Sequence, residues 1–169
     1  MEIPHALQVP AELEKMLESV KGKRLILEVG TALGGTLYSI LQSADPDAEV
    51  VSIDLPGGAW GGEYGQPDEA TMQSWCQPGQ KLHVLRGDSR GVGMVLTIKK
   101  IVGERKFDFM LIDGDHTYFG VKKDFELYRP FAADVIAFHD IAHHANADIG
   151  VEKFWKELKG DKTEIIENR

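Results

Sequence analysis

The sequence predicts an α/β protein with a Rossmann-like, doubly wound fold, in which helices flank a mostly parallel sheet. Two observations support this prediction. Short apolar runs alternate with helical patterns along the 169 residues, and such βα alternation is typical of a parallel sheet. A glycine-rich turn directly follows the first apolar run, at the position where α/β domains commonly bind nucleotides.

An amphipathic helix over residues 10–20 is the first predicted element. Pro10 suits a first helical turn and Gly22 suits the helix end. Five apolar runs then indicate strands, and the first has the continuous apolar character of a strand buried on both faces. The predicted strands cover residues 24–29, 50–54, 81–85, 107–113 and 134–138. The predicted later helices cover residues 35–43, 89–103, 117–129 and 149–159.

Residues 1–169 are predicted to form one domain, in which residues 1–22 provide the N-terminal helix and residues 55–80 a mobile lid loop. The length and an apolar content of 43% are sufficient for one buried core. Residues 55–67 hold five glycines and two prolines directly after the second strand, a composition unsuited to an element interior. Trp60 and Tyr64 among these glycines favour a lid over a plain linker, because loops beside a site often carry binding groups.

Composition limits the partners and the compartment. Asp and Glu number 27 against 19 Lys and Arg, and the net charge of −8 argues against a surface for nucleic acid or an anionic membrane. A single cysteine, Cys76, excludes an internal disulfide and a thiolate zinc cage, which indicates a reducing, cytoplasmic setting. No targeting signal is recognised, and no apolar run approaches the roughly 18 residues that a membrane span needs.

The turn after the first strand predicts a nucleoside-containing cofactor. Its glycines permit a close approach of a ligand to the backbone, and free N–H groups at the following helix start would receive an anionic group. Asp54 ends the second strand, where an acid accepts hydrogen bonds from ribose hydroxyls. The match to the G-x-G-x-x-G pattern of nicotinamide dinucleotides is weakened, because the chain has Gly30-x-Ala32-x-x-Gly35.

The same turn also reads E-x-G-x-x-x-G-G-T from Glu28 to Thr36, and here the chain resembles motif I of the Rossmann-like, class I S-adenosylmethionine-dependent methyltransferases. Asp54 stands where that superfamily carries its ribose-binding acid, and Asp88 where it commonly brings an acid to the adenine amino group. Alternatively, Asp88 only caps the helix that begins near Ser89. The resemblance implies S-adenosylmethionine as cofactor and a cofactor-binding role for Glu28, Gly30, Thr31, Gly34, Gly35, Asp54, Asp88, Ser89 and Asp113.

Within the superfamily, the chain is most similar to the branch of cephalosporin-hydroxylase-like proteins and macrocin-type O-methyltransferases. The residues that carry this similarity are 54–58, 112–118 with Val121 and Asp124, 138–140, 150–151 and 154–155. The resemblance implies transfer of a methyl group to a hydroxyl of a small-molecule acceptor. The fold alone does not identify that acceptor.

Polar side chains cluster at the ends of two predicted strands, in Asp113-Gly114-Asp115-His116 and in His139-Asp140. Open α/β sheets bind their ligands at the carboxyl ends of strands, so these residues indicate a site. The resemblance implies a magnesium ion held by Asp113, His139 and Asp140. The branch typically has three acids here, and the imidazole of His139 departs from that pattern, since magnesium prefers oxygen ligands whereas manganese, iron and zinc accept nitrogen more readily.

Methyl transfer to a hydroxyl requires that the oxygen lose its proton, because the neutral hydroxyl is a poor nucleophile. A bound metal would favour the ionised oxygen. A general base would serve the same purpose, and Asp115 or His116 is placed for this role, with His116 having the more suitable unperturbed pKa. These groups also admit a purely structural interpretation as turn-forming, capping or packing residues. His143 and His144 are expected in a solvated loop.

Three functions therefore stay open, with the methyltransferase first. The alternatives are an NAD-dependent oxidoreductase and a methyltransferase-like module without catalysis. The superfamily usually completes its sheet with a sixth strand and an antiparallel seventh, whereas only residues 163–167 resemble a strand after the last predicted helix. Either the seventh strand is absent or the chain is a shortened form, and the exposed sheet edge favours a homo-oligomer.

Overall fold

Five strands form one sheet in the computed structural model, which describes residues 4–57, 67–142 and 148–166. The strands are β1 (Leu25–Val29), β2 (Glu49–Asp54), β3 (Lys81–Arg86), β4 (Phe107–Ile112) and β5 (Ala132–Phe138). Their order across the sheet is β3-β2-β1-β4-β5, and every neighbouring pair is parallel. The predicted Rossmann-like α/β fold is confirmed, and each predicted strand is present.

Helices cover both faces of this sheet. The described residues form α1 (Pro10–Glu18), α2 (Gly35–Ser43), α3 (Glu69–Gln73), α4 (Val92–Val102), α5 (Tyr118–Tyr128) and α6 (Val151–Glu157). Leu37 and Ile40 of α2 pack against Ile26 on one face, whereas Ile98 of α4 packs with Leu27 on the other. All of β1 is buried as a result, which is the continuous apolar pattern that its sequence predicts.

Helix bounds differ from the predicted ones where local hydrogen bonds set the ends. α5 begins at Tyr118 because Thr117 is its N-cap, whose side chain accepts a hydrogen bond from the N–H of Gly120 at 3.0 Å. α4 begins only at Val92, because the preceding residues form a turn in which the Gly91 N–H donates to the Asp88 carbonyl at 3.0 Å. α1 ends at Glu18 and α6 is shorter than predicted at both ends.

The predicted 55–80 loop is only partly a loop. Asp68 caps α3 by accepting from the Thr71 N–H at 2.7 Å, and Met72 and Trp75 are buried in the core. The Gln42 side chain also donates to the Trp75 carbonyl at 2.8 Å. This second part of the segment therefore packs on the sheet. The aromatic residues predicted for the lid, Trp60 and Tyr64, and the histidines His143 and His144 lie outside the described residues.

The strand order reverses between β1 and β4, which are neighbours although β2 and β3 come between them along the chain. Such a switch point leaves a crevice at the carboxyl ends of the strands, where α/β proteins bind ligands. β3 and β5 are the edge strands, residues 161–166 form no strand, and the homo-oligomer stays a prediction. Across the described ranges, no helix is long and apolar enough to cross a membrane.

Candidate active site

A cavity of about 480 Å³ lies in this crevice, a size typical of small-molecule and cofactor sites. Its walls are the turn after β1, the ends of β2 and β3, the loop after β4 and the N-terminal segment before α1. Seven residues predicted to bind the cofactor line it: Gly30, Thr31, Gly35, Asp54, Asp88, Ser89 and Asp113. Glu28 and Gly34 are not part of its lining.

Gly30 lets the ends of β1 and β4 meet. It has φ +97°, and a Cβ on it would lie 2.0 Å from the carbonyl oxygen of Asp113. Only glycine combines this backbone conformation with such a close approach. The Gly30 N–H donates to the Ile53 carbonyl and the Asp113 N–H to the Val29 carbonyl, both at 2.8 Å. The turn after β1 and the loop after β4 are thus held in direct contact.

Asp54 is bonded to the turn itself. Its Oδ2 accepts from the backbone N–H groups of Thr31 at 2.6 Å and Ala32 at 2.8 Å. This carboxylate lines the cavity where the sequence predicts a ribose-binding acid. It also organises the turn that forms the neighbouring wall.

The start of α2 is covered by other residues, whereas the sequence predicts an anion site with free N–H groups there. A Cβ on Gly35 would lie 2.2 Å from the Ala6 nitrogen and 2.3 Å from the His5 carbonyl, so the N-terminal segment packs directly on this helix start. The N–H groups of the turn, at Thr31 and Ala32, bond to Asp54. A dinucleotide places its pyrophosphate at this helix start, so the arrangement weakens the case for NAD.

Glu28 lies beneath the turn, and its side chain is fully buried in β1. Side chains alternate along a strand, so Glu28 faces the same layer as Ile26. It accepts a hydrogen bond from Ser52 Oγ on β2 at 2.8 Å, while its Oε1 has no hydrogen-bond partner among the described residues. Burial raises the pKa of Glu28 to about 8. Glu28 thus lies beneath the cavity lining, and the cofactor-binding role that the resemblance implies for it stays a prediction.

Four side chains converge beside the cavity at the ends of β4 and β5. His116 Nδ1 lies 2.9 Å from Asp140 Oδ2, and His116 Nε2 lies 3.2 Å from Asp113 Oδ1. His139 Nδ1 lies 3.3 Å from the same Asp113 oxygen and 3.4 Å from Asp140 Oδ1. Asp140 adopts φ 56°, a left-handed conformation that aspartate tolerates better than most residues. We call Asp113, His116, His139 and Asp140 the acid–imidazole cluster.

The charged groups of the acid–imidazole cluster shift one another's pKa values. Burial by itself would raise the pKa of Asp113, but the bonds and charges of His116 and His139 outweigh it and lower the pKa to about 2. Burial would likewise lower the pKa of His116, whereas Asp113 and Asp140 raise it to about 10. The exposed fractions of the four side chains are only 11% to 20%. The cluster is therefore a tight set of ion pairs.

The predicted metal ligands, Asp113, His139 and Asp140, do come together in this cluster. An imidazole binds a metal through a nitrogen lone pair, and a ring nitrogen that donates to a carboxylate, as His139 Nδ1 can to Asp113 or Asp140, has no lone pair to offer. Among the residues that the structure describes, no group of three or more His, Cys, Asp or Glu side chains is arranged to hold an ion. The structure thus gives no support to the magnesium site that the resemblance implies, and that site stays a prediction.

Asp115, the other predicted base, is occupied by structural bonds. Its Oδ1 accepts from the Thr117 N–H at 2.9 Å and its Oδ2 from Arg90 Nη1 at 2.6 Å. Burial would raise the pKa of Asp115, but its bonds to Thr117 and the charge of Arg90 lower it. His116 likewise has both ring nitrogens in contact with carboxylates, and the catalytic roles of Asp115 and His116 stay predictions.

Gln8 is a site residue that the sequence prediction missed. Its Nε2 donates to Asp113 Oδ2 at 2.9 Å, and its Oε1 accepts from the hydroxyl of Thr36 at the start of α2. Gln8 thus joins the acid–imidazole cluster to the cofactor side of the cavity. No motif marks this residue, since only the packing of the N-terminal segment across the sheet brings it here.

Comparisons with known proteins agree with the fold. The profile of a family described as a methyltransferase domain matches residues 27–141, which spans the glycine turn, Asp54, Asp88 and the acid–imidazole cluster. A comparison with curated proteins gives no match.

Two solved structures resemble the chain at low identity. The O-methyltransferase from Bacillus cereus in complex with SAH has a TM-score of 0.61 and 17% identity, over 92% of this chain and 71% of that one. The O-methyltransferase TomG from Streptomyces achromogenes, involved in tomaymycin synthesis and solved with SAM, has a TM-score of 0.57 and 20% identity, over 90% and 69%. At these identities, the likeness supports the fold.

Proposed function

The chain belongs to the methyltransferase-domain family, and from this premise we propose that it is an S-adenosylmethionine (SAM)-dependent O-methyltransferase acting on a small molecule. One observation carries the proposal: a nucleoside-sized cavity with the glycine turn and Asp54 in its wall opens directly onto the acid–imidazole cluster. A cofactor site and a proton acceptor are the two components that this reaction needs.

The cavity residues suit the parts of this cofactor. Asp54 would accept from the ribose hydroxyls and Asp88, at the end of the neighbouring strand, from the adenine amino group; both line the cavity. Asp54 brings a carboxylate to the cavity wall that can attract a positively charged sulfonium, whereas Asp88 is paired with Arg90 and Asp113 with two histidines. Bound SAM supplies an electrophilic methyl group, which an acceptor oxygen takes while the neutral thioether S-adenosylhomocysteine (SAH) leaves.

His116 takes the proton of the acceptor hydroxyl in this mechanism. Asp140 holds its Nδ1 at 2.9 Å, which orients the ring. Nε2 lies 3.2 Å from Asp113 Oδ1 and 3.4 Å from the Asp113 carbonyl oxygen, so an acceptor hydroxyl has only contacts longer than that of Nδ1 to replace. Asp113 and Asp140 raise the pKa of His116 to about 10, so the ring accepts a proton only after Nε2 has lost its own. A sulfonium charge in the adjoining cavity favours this loss, because it disfavours the charged form of the ring.

The geometry of the site gives less support to the alternatives that the sequence leaves open. An NAD-dependent oxidoreductase would need the helix start that His5 and Ala6 cover. A magnesium ion at Asp113, His139 and Asp140 stays a prediction from resemblance, and the mechanism contains no step through it. The choice of oxygen as the acceptor atom is suggested by the O-methyltransferases that share the fold.

Calorimetry with SAH tests the proposal directly. We expect the intact protein to bind SAH, Asp54→Ala to weaken binding strongly, and Asp140→Asn to retain it. Transfer of labelled methyl from SAM to a panel of small phenols and sugars, with EDTA or added Mg²⁺, then tests catalysis and metal dependence. No SAH binding by folded protein overturns the function, and binding without transfer to any acceptor favours the non-catalytic module.

A further inference from the structure

We infer that Asp124 and Tyr128 of α5 position the adenine-side loop, residues 87–90, and thereby set the preference of the site for adenine. The inference rests on the proposed function, because it concerns the same cofactor. Neither residue lines the cavity, and both are fully buried. They are therefore positioning residues that act through Ser89.

Ser89 is held at two points by one face of α5. Its Oγ donates to Asp124 Oδ1 at 2.6 Å, and its carbonyl oxygen accepts from the Tyr128 hydroxyl. Asp124 and Tyr128 are four residues apart, so they lie one above the other on the helix. One bond restrains the Ser89 side chain and the other restrains its backbone, which together fix the position of the adjacent Asp88.

Arg90 ties the same loop to the other side of the cavity. Its backbone N–H and Nε donate to Asp88 Oδ1 at 2.9 and 3.1 Å, and its Nη1 donates to Asp115 Oδ2 at 2.6 Å. Asp115 lies just before α5, the helix that holds Ser89. The adenine-side loop is thus attached both to the second half of α5 and to the residues just before its start.

If stability were its only role, Asp124 would be an unfavourable residue at this buried position. Its carboxylate is fully buried and its Oδ2 has no hydrogen-bond partner within the described part of the chain. Burial raises its pKa to about 6, as expected for an acid that loses hydration. An apolar side chain would fill this position without that penalty. The bond to Ser89 is the interaction that an apolar residue would not provide.

The test compares two ligands that differ only in the base: SAH and S-inosylhomocysteine, in which a carbonyl oxygen replaces the adenine amino group. Calorimetry gives the ratio of their Kd values. We expect the wild-type protein to prefer SAH, and Asp124→Val and Tyr128→Phe to reduce this preference about three- to ten-fold, the range for one lost hydrogen bond. Asp124→Asn keeps an acceptor oxygen for Ser89, so it should retain the wild-type ratio.

Controls separate positioning from general damage. Tyr38→Phe removes a hydroxyl from a tyrosine that packs on Trp75, away from the loop, and should leave the ratio unchanged. Ser89→Ala removes one bond with the smallest change in volume and replaces Asp124→Val if that variant does not fold. Thermal unfolding confirms that each measured variant is folded.

The result that would overturn the proposed function differs from the results that would overturn this inference alone. A wild-type protein that binds neither ligand overturns the proposed function and the inference with it. A wild-type protein that binds SAH without preferring it leaves the function standing and overturns the inference. Folded Asp124→Val and Tyr128→Phe variants with the wild-type ratio, or with both ligands weakened equally, also overturn it.

Discussion

The two sides of the site are built differently. The cofactor side consists largely of backbone: the turn after β1, with Gly30 against the Asp113 carbonyl and the Thr31 N–H bonded to Asp54. The acceptor side is the acid–imidazole cluster, four side chains that hold one another by charge. A backbone-built wall depends on the packing of the sheet, whereas a cluster of side chains depends on the presence of every member. We therefore expect the two sides to fail separately when side chains change, and together when the backbone contact changes.

The largest expected effect concerns catalysis on the acceptor side. His116→Gln keeps an amide that can bond to Asp113 or Asp140 but removes the proton acceptor. Loss of a general base typically costs about 100- to 10,000-fold in rate, so we expect a fall of that order in kcat while the Kd for SAH stays unchanged.

Methyl-transfer rates and calorimetry measure the two quantities. His83→Gln is the matched control, because His83 pairs with Glu49 at 2.8 Å and is not part of the cavity lining. A kcat within about ten-fold of wild type, less than a base contributes, would assign the proton to another residue.

A substitution at Gly30 should impair the cofactor side and the acceptor side together. A Cβ there would meet the Asp113 carbonyl at 2.0 Å, so Gly30→Ala must push β1 and β4 apart. We expect a loss of about 2–4 kcal/mol in the free energy of unfolding, together with weaker SAH binding and slower transfer.

Gly22→Ala is the control for the backbone conformation alone. Gly22 has φ +72° with no atom within 4 Å of its added Cβ, so only the conformational cost of about 1–2 kcal/mol applies. Urea denaturation gives both values. Equal losses in the free energy of unfolding from Gly30→Ala and Gly22→Ala would show that the close contact between the strands does not contribute to stability.

A third expected effect sharpens the comparison through the pH dependence of stability. The pKa of Glu28 is raised from 4.5 to about 8, so the folded state holds a proton that the unfolded state has lost between these values. Stability from this group is present at low pH and declines by about 1.4 kcal/mol per pH unit across that interval. Glu28→Gln should remove this decline.

Urea denaturation of wild type and Glu28→Gln at pH 5, 6, 7 and 8 measures the difference in slope. The exposed Glu14→Gln is the matched control and should follow the wild-type slope. His116, with its pKa raised to about 10, contributes the same sign only above its ordinary value of 6.5. Asp124, with its pKa raised to about 6, contributes the same sign below pH 6 in both proteins. Its contribution cancels when the two slopes are subtracted, so the difference between the slopes belongs to Glu28.

The fold was predictable because apolar runs report burial directly. β1 is buried on both faces, and its sequence Leu25–Val29 shows it without reference to the rest of the chain. The cofactor turn was predictable for a related reason, since Gly30 is needed by its own backbone conformation. These signals are local, and local signals survive in a single sequence.

Other features depended on contacts between distant parts of the chain. Gln8 meets Asp113 across 105 residues, and Trp75 enters the core from a segment whose composition indicates a loop. Asp115 has the residue type of a base, but Arg90 occupies it. The face of the sheet on which the Glu28 side chain lies could have been predicted from the sequence. Glu28 follows Ile26 by two residues in a strand, so the two side chains share a face.

The contact between Gly30 and the Asp113 carbonyl also bears on how such a protein changes over evolutionary time. Strands that touch through backbone atoms cannot separate to admit a larger substrate. New acceptors must then be accommodated by substitutions at the rim, where the exposed side chains of Leu7 and Leu55 border the cavity. Substrate range can drift there by single steps while the centre of the sheet is inherited unaltered.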